Sequence, residues 1–365
     1  MAGRTILFGA TGYTGGLTAA AMVARGDRPV LAARNAERLA SLAAELGGLE
    51  TALADVGDPA SVAALLEPGD VIVATVGPFA RFGDPAAEAA IGAGAAYLDS
   101  TGEPAFIRRV FEHYGPRAER SGAGLITAFG YDWVPGNLAA ALALREAGEE
   151  ASRVDVGYFT TGGGLGGMSG GTRASLAGAI VEPSFVWRDG IRTERGAARV
   201  RTFDVGRRTR EGISVGSSEH FTLPRLHPGL REVNVYLGWF GRRSRAMQVF
   251  SAANAAITRV PGVKRAVGAL SERLVKGSTG GPDEAARAGS GSAMIAIAYA
   301  ADGTELASVE VAGVNSYTFT GRILAWGAAH AAAQGLNGKG ALGPADGFGL
   351  DALEAGCAEA GIARV

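Results

Sequence analysis

Gly9-Ala10-Thr11-Gly12-Tyr13-Thr14-Gly15 follows a short apolar run, Thr5-Ile-Leu-Phe8, and leads into an alanine-rich amphipathic run that reaches Arg25. The pattern predicts a strand, a tight glycine turn and a helix, in that order. Gly9 permits a sharp exit from the strand, Gly12 lets the backbone approach a diphosphate, and Gly15 lets the helix pack closely on the strand. The helix N-terminus then faces the phosphate charge. The spacing is Gly-x-x-Gly-x-x-Gly, not Gly-x-Gly-x-x-Gly, and glycines also make ordinary turns. The flanking strand and helix therefore carry the assignment. The expectation is a dinucleotide site on Gly9, Thr11, Gly12, Tyr13, Thr14 and Gly15.

Outward from the turn the alternation continues. Strands are expected at Thr5–Phe8, Pro29–Ala33, Leu49–Ala54, Val71–Thr75, Ala96–Asp99 and Gly124–Ala128. Helices are expected at Gly15–Arg25, Ala36–Leu46, Pro59–Leu66, Pro85–Ala93 and Pro104–Arg120. Strands alternating with helices imply a parallel sheet covered on both faces, and the glycine turn makes it doubly wound. In such a sheet ligands bind outside the carboxyl ends of the strands, so the residue after each strand is read separately.

After the second strand stand Arg34 and Asn35, with no acid where an NAD-preferring protein places one for the ribose hydroxyl. A guanidinium there suits a 2′-phosphate, hence NADP(H), against the plainer reading of a solvated arginine at a helix start. Asp55, after the third strand, either touches adenine or caps a helix, and both readings stay open. After the fourth, Thr75-Val76-Gly77-Pro78 fixes a bend under the cofactor, with Phe79, Arg81 and Phe82 expected to face the cleft. After the fifth, Asp99 and Ser100 are read mainly as caps for the helix near Pro104. After the sixth comes Phe129-Gly-Tyr-Asp-Trp-Val-Pro-Gly-Asn137. Tyr131 is a candidate proton donor, because a phenol is protonated at neutral pH. Asp132 is a poorer one unless buried.

The rest of the chain changes character. Thr161–Thr172 is glycine-dense, and a helical run follows to Val181. Short strands are expected at Val154–Thr160, Phe185–Arg188, Val200–Phe203, Val233–Leu237, Met294–Tyr299 and Glu305–Val311, the last two a hairpin about Asp302-Gly303. Helical patterns run over Ser244–Thr258 and Val263–Val275, and Lys276–Ser292 reads as a mobile loop. From Tyr317 to Gln334 and from Leu350 to Ala360 the pattern is helical, with a turn-rich loop at Gly338–Phe348. The fold class is α/β: an N-terminal Rossmann sheet over 1–130, an α+β substrate or dimerisation domain with a largely antiparallel sheet over 131–316, and C-terminal helices over 317–365 returning to the first domain.

Composition bounds the function. The 365 residues carry 35 Lys and Arg against 36 Asp and Glu, a net charge of −1, which gives no reason to expect a nucleic acid or anionic membrane as partner. One cysteine, Cys357, forms no internal disulfide and fits a reducing cytoplasm. His113, His220, His227 and His330 show no metal spacing. No signal peptide or membrane span is expected.

Taken together, Gly9–Gly15, Ala33-Arg34-Asn35, Val76–Gly83, Tyr97–Glu103, Gly130–Pro135, Ser169-Gly-Gly-Thr172, Gly281–Arg287 and Tyr317-Thr-Phe-Thr320 resemble the saccharopine dehydrogenase-like reductases, in particular the trans-acting enoyl reductase branch. The resemblance covers nearly the whole chain. It implies an NADP-binding Rossmann domain, a second domain inserted before the C-terminal helices, and hydride transfer. Where that branch commonly has Phe-Asp-Ser-x-Pro, this chain has Tyr131-Asp-Trp-Val-Pro135. Phe79, Phe82 and Trp133 offer apolar walls, which favours C=C reduction of an enoyl or acyl substrate, free or carrier-bound. Phe79, Arg81, Trp133, Ser169, Gly170 and Thr172 are the expected substrate contacts. C=N reduction of an imine and a non-catalytic NADP-binding sensor or scaffold are the alternatives, and a homodimer is left open.

Overall fold

The computed structural model describes residues 3–162, 184–194, 198–238, 248 and 280–365. The chain divides into two compact units: Met1–Gly102, Phe106–Val134 and Tyr317–Gly361 in the first, Glu103–Ala105, Pro135–Ser316 and Ile362–Val365 in the second.

In chain order the strands are β1 (Thr5–Phe8), β2 (Val30–Ala33), β3 (Thr51–Leu53), β4 (Val71–Ala74), β5 (Ala96–Asp99), β6 (Gly124–Ile126), β7 (Arg153–Thr161), β8 (Ser184–Arg188), β9 (Ile191–Glu194), β10 (Val200–Val205), β11 (Arg208–Ser214), β12 (Glu232–Leu237), β13 (Gly291–Tyr299), β14 (Glu305–Val314), β15 (Gly340–Ala341) and β16 (Ile362–Arg364). The sheet of the first unit runs β15-β6-β5-β4-β1-β2-β3, parallel throughout. Its central strands are apolar on both faces, as burial between two helical layers requires; β2 and β4 are buried at every residue. β3 is the edge strand: of the expected Leu49–Ala54 only three residues pair, and Leu53 stays 60% exposed. Phe106, Phe129 and Phe319 are fully buried, each stabilising the core by roughly 1.5–3 kcal/mol through apolar area removed from water.

The sequence pattern differs from the structure at three places in this unit. Pro104–Arg120 is not one regular helix: it breaks into Pro104–Arg109, a wider turn at Val110–Tyr114, and Gly115–Ser121. Pro116 has no N–H to continue the ladder, so the turn before it opens. The bend after β4 holds a helical turn, Phe79–Phe82. The expected loop Gly338–Phe348 contains β15, a seventh parallel strand beside β6, and a short helix, Pro344–Phe348.

In the second unit the described strands order as β10-β11-β12-β7-β13-β14-β16, with the β8–β9 hairpin attached to β12. Pairing is antiparallel except between β12 and β7. Gly303, at φ +91°, closes the β13–β14 hairpin. Phe159, Phe203, Val205, Tyr236, Ala293 and Ile295 form a core on one face. β9, β11, β16 and the helix Glu219–Leu226 stand outside the elements that the sequence pattern predicts. β16 pairs with β14, so residues 362–365 sit in the second unit and not with the C-terminal helices. Within the expected loop at 276–292, Glu284–Ala288 is helical, started by the Asp283 side chain accepting from the Ala286 N–H at 2.8 Å. The helical patterns at 244–258 and 263–275, and Ser169, Gly170 and Thr172, lie outside the described residues.

Candidate functional site

The parallel order of the first sheet lays the loops after β6, β5, β4, β1, β2 and β3 side by side along one edge. Gly9 leaves β1 at φ +91°, a conformation glycine adopts without steric penalty. A Cβ on it would meet Thr75 Oγ1 at 2.7 Å. The Thr75 hydroxyl sits within 3.1 Å of Phe8 O and 3.2 Å of Gly9 O, tying the loops after β1 and β4 together. The helix Tyr13–Ala24 begins at Gly12, which supplies no side-chain cap, and its first turn carries no acid. A Cβ on Gly12 would meet only Gly9 O, at 3.3 Å, whereas one on Gly15 would lie 2.2 Å from Gly9 O. Gly15 is thus required for helix-to-strand contact, and Gly12, with no side chain of its own, keeps the approach to an uncapped helix N-terminus clear. That is what a diphosphate requires. Thr11, Tyr13 and Thr14 are half-buried around it. Tyr13 packs edge-on against Tyr317, 5.3 Å between ring centroids.

After β2, Arg34 is exposed and forms no ion pair with a described residue. The Asn35 side chain accepts from the Arg38 N–H at 2.8 Å and caps the helix Ala36–Glu45. Asp55 likewise closes its own turn, Oδ1 accepting from the Gly57 N–H at 2.8 Å, while Asp58 is the residue at the start of the next helix. After β4, Val76, Gly77 and Pro78 are half-buried, with the Gly77–Pro78 peptide cis. Phe79, expected to face the cleft, is 5% exposed and packs on Phe106 at 5.7 Å, because a phenyl ring gains more by joining the core. Arg81 is exposed, its guanidinium 4.9 Å over the Phe82 ring.

After β5 and β6 the loops are bound to each other. The Asp99 carboxylate accepts from the Thr127 hydroxyl at 2.7 Å and from the Thr101 and Ala128 N–H groups at 2.8 and 3.0 Å. Burial pushes this carboxyl up to about 6, with those hydrogen bonds opposing the rise. Tyr131 is 3% exposed, and its N–H donates to the Thr320 hydroxyl at 3.0 Å. Trp133, expected as a substrate wall, is 1% exposed and belongs to the core for the same reason as Phe79. Asp132 Oδ1 is shut off from solvent with no hydrogen-bond partner among the described residues, and desolvation pushes its carboxyl up to about 7. On sequence alone Asp132 ranks below Tyr131 as an acid unless buried; in the structure the residue is half-buried, with its Oδ1 enclosed. Asp99 as a hub and Thr320 as a partner were missed. The only sequence signal for Thr320 was its place in the Tyr317–Thr320 motif.

The second unit holds a separate buried polar cluster. Tyr158 OH donates to Glu219 Oε1 at 2.6 Å and accepts from the Gly136 N–H at 2.9 Å. Asn137 bridges Ser218 and Thr222. Beside them His220 Nδ1 lies 3.1 Å from Ser217 Oγ, and burial lowers its imidazole to about 3, so it is neutral. No group of His, Cys, Asp and Glu among the described residues is arranged to hold a metal ion, and no described helix is long and apolar enough to cross a membrane.

Residues 9–100 match the family model described as NAD(P)H-binding, the segment that carries the glycine turn and the loops after β1 to β4. A Mycobacterium tuberculosis protein provisionally named a trans-acting enoyl reductase is 37% identical over 180 residues, 47% of this chain and 42% of the relative. The trans-acting enoyl reductase of Mycobacterium ulcerans is 35% identical over 153 residues, 40% of this chain and 37% of that one. The chain thus spans less than half the length of these curated relatives. Saccharopine dehydrogenase (L-Glu forming) from Saccharomyces cerevisiae matches 97% of this chain and 96% of its own with a TM-score of 0.61 at 14% identity, which shows a shared fold.

Proposed function

We propose that this protein is an NADPH-dependent oxidoreductase that reduces the C=C bond of an enoyl or acyl-type small molecule. The observation that carries the reading is a protonatable carboxyl, Asp132, on the same sheet edge as an open, uncapped helix N-terminus at Gly12. The likeness to trans-acting enoyl reductases over 40–47% of the chain supports the substrate class.

The loops after β2, β1 and β4 would hold NADPH, which when bound would supply the hydride for the reducible bond. The N-terminus of the helix Tyr13–Ala24 orients the diphosphate, and Arg34 reads the 2′-phosphate. Reduction of a C=C bond leaves negative charge on the substrate, which a proton must quench. Asp132 holds a proton near neutral pH because burial disfavours its anion, and it delivers that proton from Oδ1 or Oδ2. Tyr131 contributes its backbone to the turn that carries Asp132, and its phenol is the second candidate donor. Whether the acyl chain arrives free or on a carrier does not alter these roles.

The test follows NADPH consumption with the N-acetylcysteamine thioester of a trans-enoyl acid, and with a preformed imine in a parallel series. Asp132→Asn and Tyr131→Phe are then compared with the parent. A general acid contributes about 10²–10⁴-fold, so Asp132→Asn is expected to lose that much in kcat with NADPH affinity kept. Turnover of imine alone, or tight NADPH binding with no turnover of either, would overturn the reading.

A further inference from the structure

We propose that Asp99 is the positioning residue for Asp132: one buried carboxylate fixes both the turn that carries the Asp132 side chain and the loop against which that side chain lies. The catalytic consequence rests on the reductase reading; the positioning does not.

The turn comes first. Ala128 has φ +60°, the left-handed region, which strains a non-glycine residue and persists only where the surroundings over-determine it. Asp99 supplies that constraint. Its Oδ1 accepts from the Ala128 N–H, its Oδ2 from the Thr127 hydroxyl, and its main-chain oxygen from the Phe129 N–H at 2.6 Å. The turn then closes on itself, Trp133 N–H to Ala128 O and Val134 N–H to Gly130 O, both at 2.9 Å. Asp132 is carried inside this closure.

The seat comes second. Asp99 Oδ1 also accepts from the Thr101 N–H, one residue before Gly102. Asp132 Oδ2 lies so close to Gly102 that a Cβ there would stand 3.0 Å from it, and 3.4 Å from Asp132 Cβ. The carrier and the seat of Asp132 thus share one anchor. Asp99 is itself 0% exposed, and its titratable neighbour on β5 is Tyr97, whose phenol burial pushes well above its ordinary value. Asp99 reaches no bound molecule from there and acts through Asp132.

Asp99→Asn keeps Oδ1 as acceptor for both amides and lets Nδ2 donate to Thr127. Asp99→Ala removes every side-chain bond. The full chain, labelled with ¹³C at its Asp carboxyls, is titrated by NMR, with the Asp132 resonance identified by its loss in Asp132→Asn. The parent and Asp99→Asn are expected to titrate Asp132 well above the ordinary carboxylate range. In Asp99→Ala the side chain gains water, and the midpoint should fall by about one pH unit or more. With the enoyl thioester, kcat of Asp99→Ala should fall about 10- to 100-fold while NADPH affinity stays within about 2-fold, as expected of a misplaced group. Should Asp99→Ala not fold, Asp99→Ala with Ala128→Gly removes the left-handed strain without restoring the bonds and is read in the same way.

An unshifted Asp132 midpoint in a folded Asp99→Ala chain overturns the proposal, as does an ordinary midpoint in the parent. The titration uses neither cofactor nor substrate. Absent turnover with the expected midpoints therefore refutes the reductase reading and leaves the positioning standing.

Discussion

Thr320, on the C-terminal helix Ser316–Gln334, accepts a hydrogen bond from the Tyr131 N–H at 3.0 Å, across 189 positions of sequence. The same side chain packs on Gly130, where a Cβ would come within 3.0 Å of Thr320 Cγ2. The C-terminal helix is therefore part of the proposed site. Thr320→Val keeps the shape and deletes the acceptor, leaving a buried amide without it. A loss of about 1–3 kcal/mol in unfolding free energy is expected, with Thr320→Ser close to the parent. Chemical denaturation of the three proteins checks this; equal stability of parent and Thr320→Val would show the bond to be dispensable.

Asp132 sets a pH dependence whose sign is fixed by burial. Its folded value, about 7, lies above the ordinary 3.8, so the folded state keeps a proton that the unfolded chain releases between those values. Stability is unaffected below the lower value and falls as pH rises through the window, with the full loss reached above about pH 7. Asp132→Asn should accordingly be more stable than the parent by about 2–4 kcal/mol above pH 7 and no more stable near pH 4. Denaturation midpoints across that range decide it. If Asp132 is also the acid, kcat of the parent declines with rising pH above 7.

Arg34 should confer preference for NADPH over NADH. A charge-assisted pair with the 2′-phosphate is worth about 1.5–3 kcal/mol, so Arg34→Ala should weaken NADPH about 10- to 100-fold and leave NADH nearly unchanged. Fluorescence titration with both cofactors is the check, and equal NADPH affinity in parent and variant removes Arg34 from the site.

Gly12 and Gly15 should fail in different ways. A Cβ at Gly12 meets only Gly9 O, at 3.3 Å, a tight contact but far milder than at Gly15, so Gly12→Val should fold at a modest stability cost and lose cofactor binding. A side chain at Gly15 runs into Gly9 O and Ala10, so Gly15→Val should lose stability by several kcal/mol, on the order expected of overpacking. Thermal melts and NADPH titrations of the pair separate the two effects. Normal binding by Gly12→Val would place the cofactor elsewhere.

His220 governs the acid limb of the second unit. Its folded value, about 3, lies below the ordinary 6.5, so its contribution is complete above 6.5 and is lost as pH falls toward 3. His220→Gln should flatten that decline by about 2–4 kcal/mol between pH 6.5 and 3. Unchanged acid sensitivity would mean that the imidazole gains a counter-charge or water on protonation.

Much of the first unit is written locally. The apolar runs Thr5–Phe8 and Val71–Ala74, and the turn Gly9–Gly15, specify strand and turn through neighbours only a few residues away, so their reading needs no partner. What pairing decides was not legible. β15 is two residues, Gly340 and Ala341, with no strand pattern; it exists because β6 offers an unpaired edge. β16 likewise follows from the free edge of β14. Phe79 and Trp133 have composition that suits a cleft or a core equally, and only packing chose the core. Asp132 shows the limit most clearly. Its sequence neighbours fix that a carboxyl stands after β6, but an acid that keeps its proton near neutral pH requires removal from water. The Asp132 side chain lies against Gly102 of the loop after β5, and the turn that carries it is held by Asp99 and, through Tyr131 and Gly130, by Thr320 of the distant C-terminal helix.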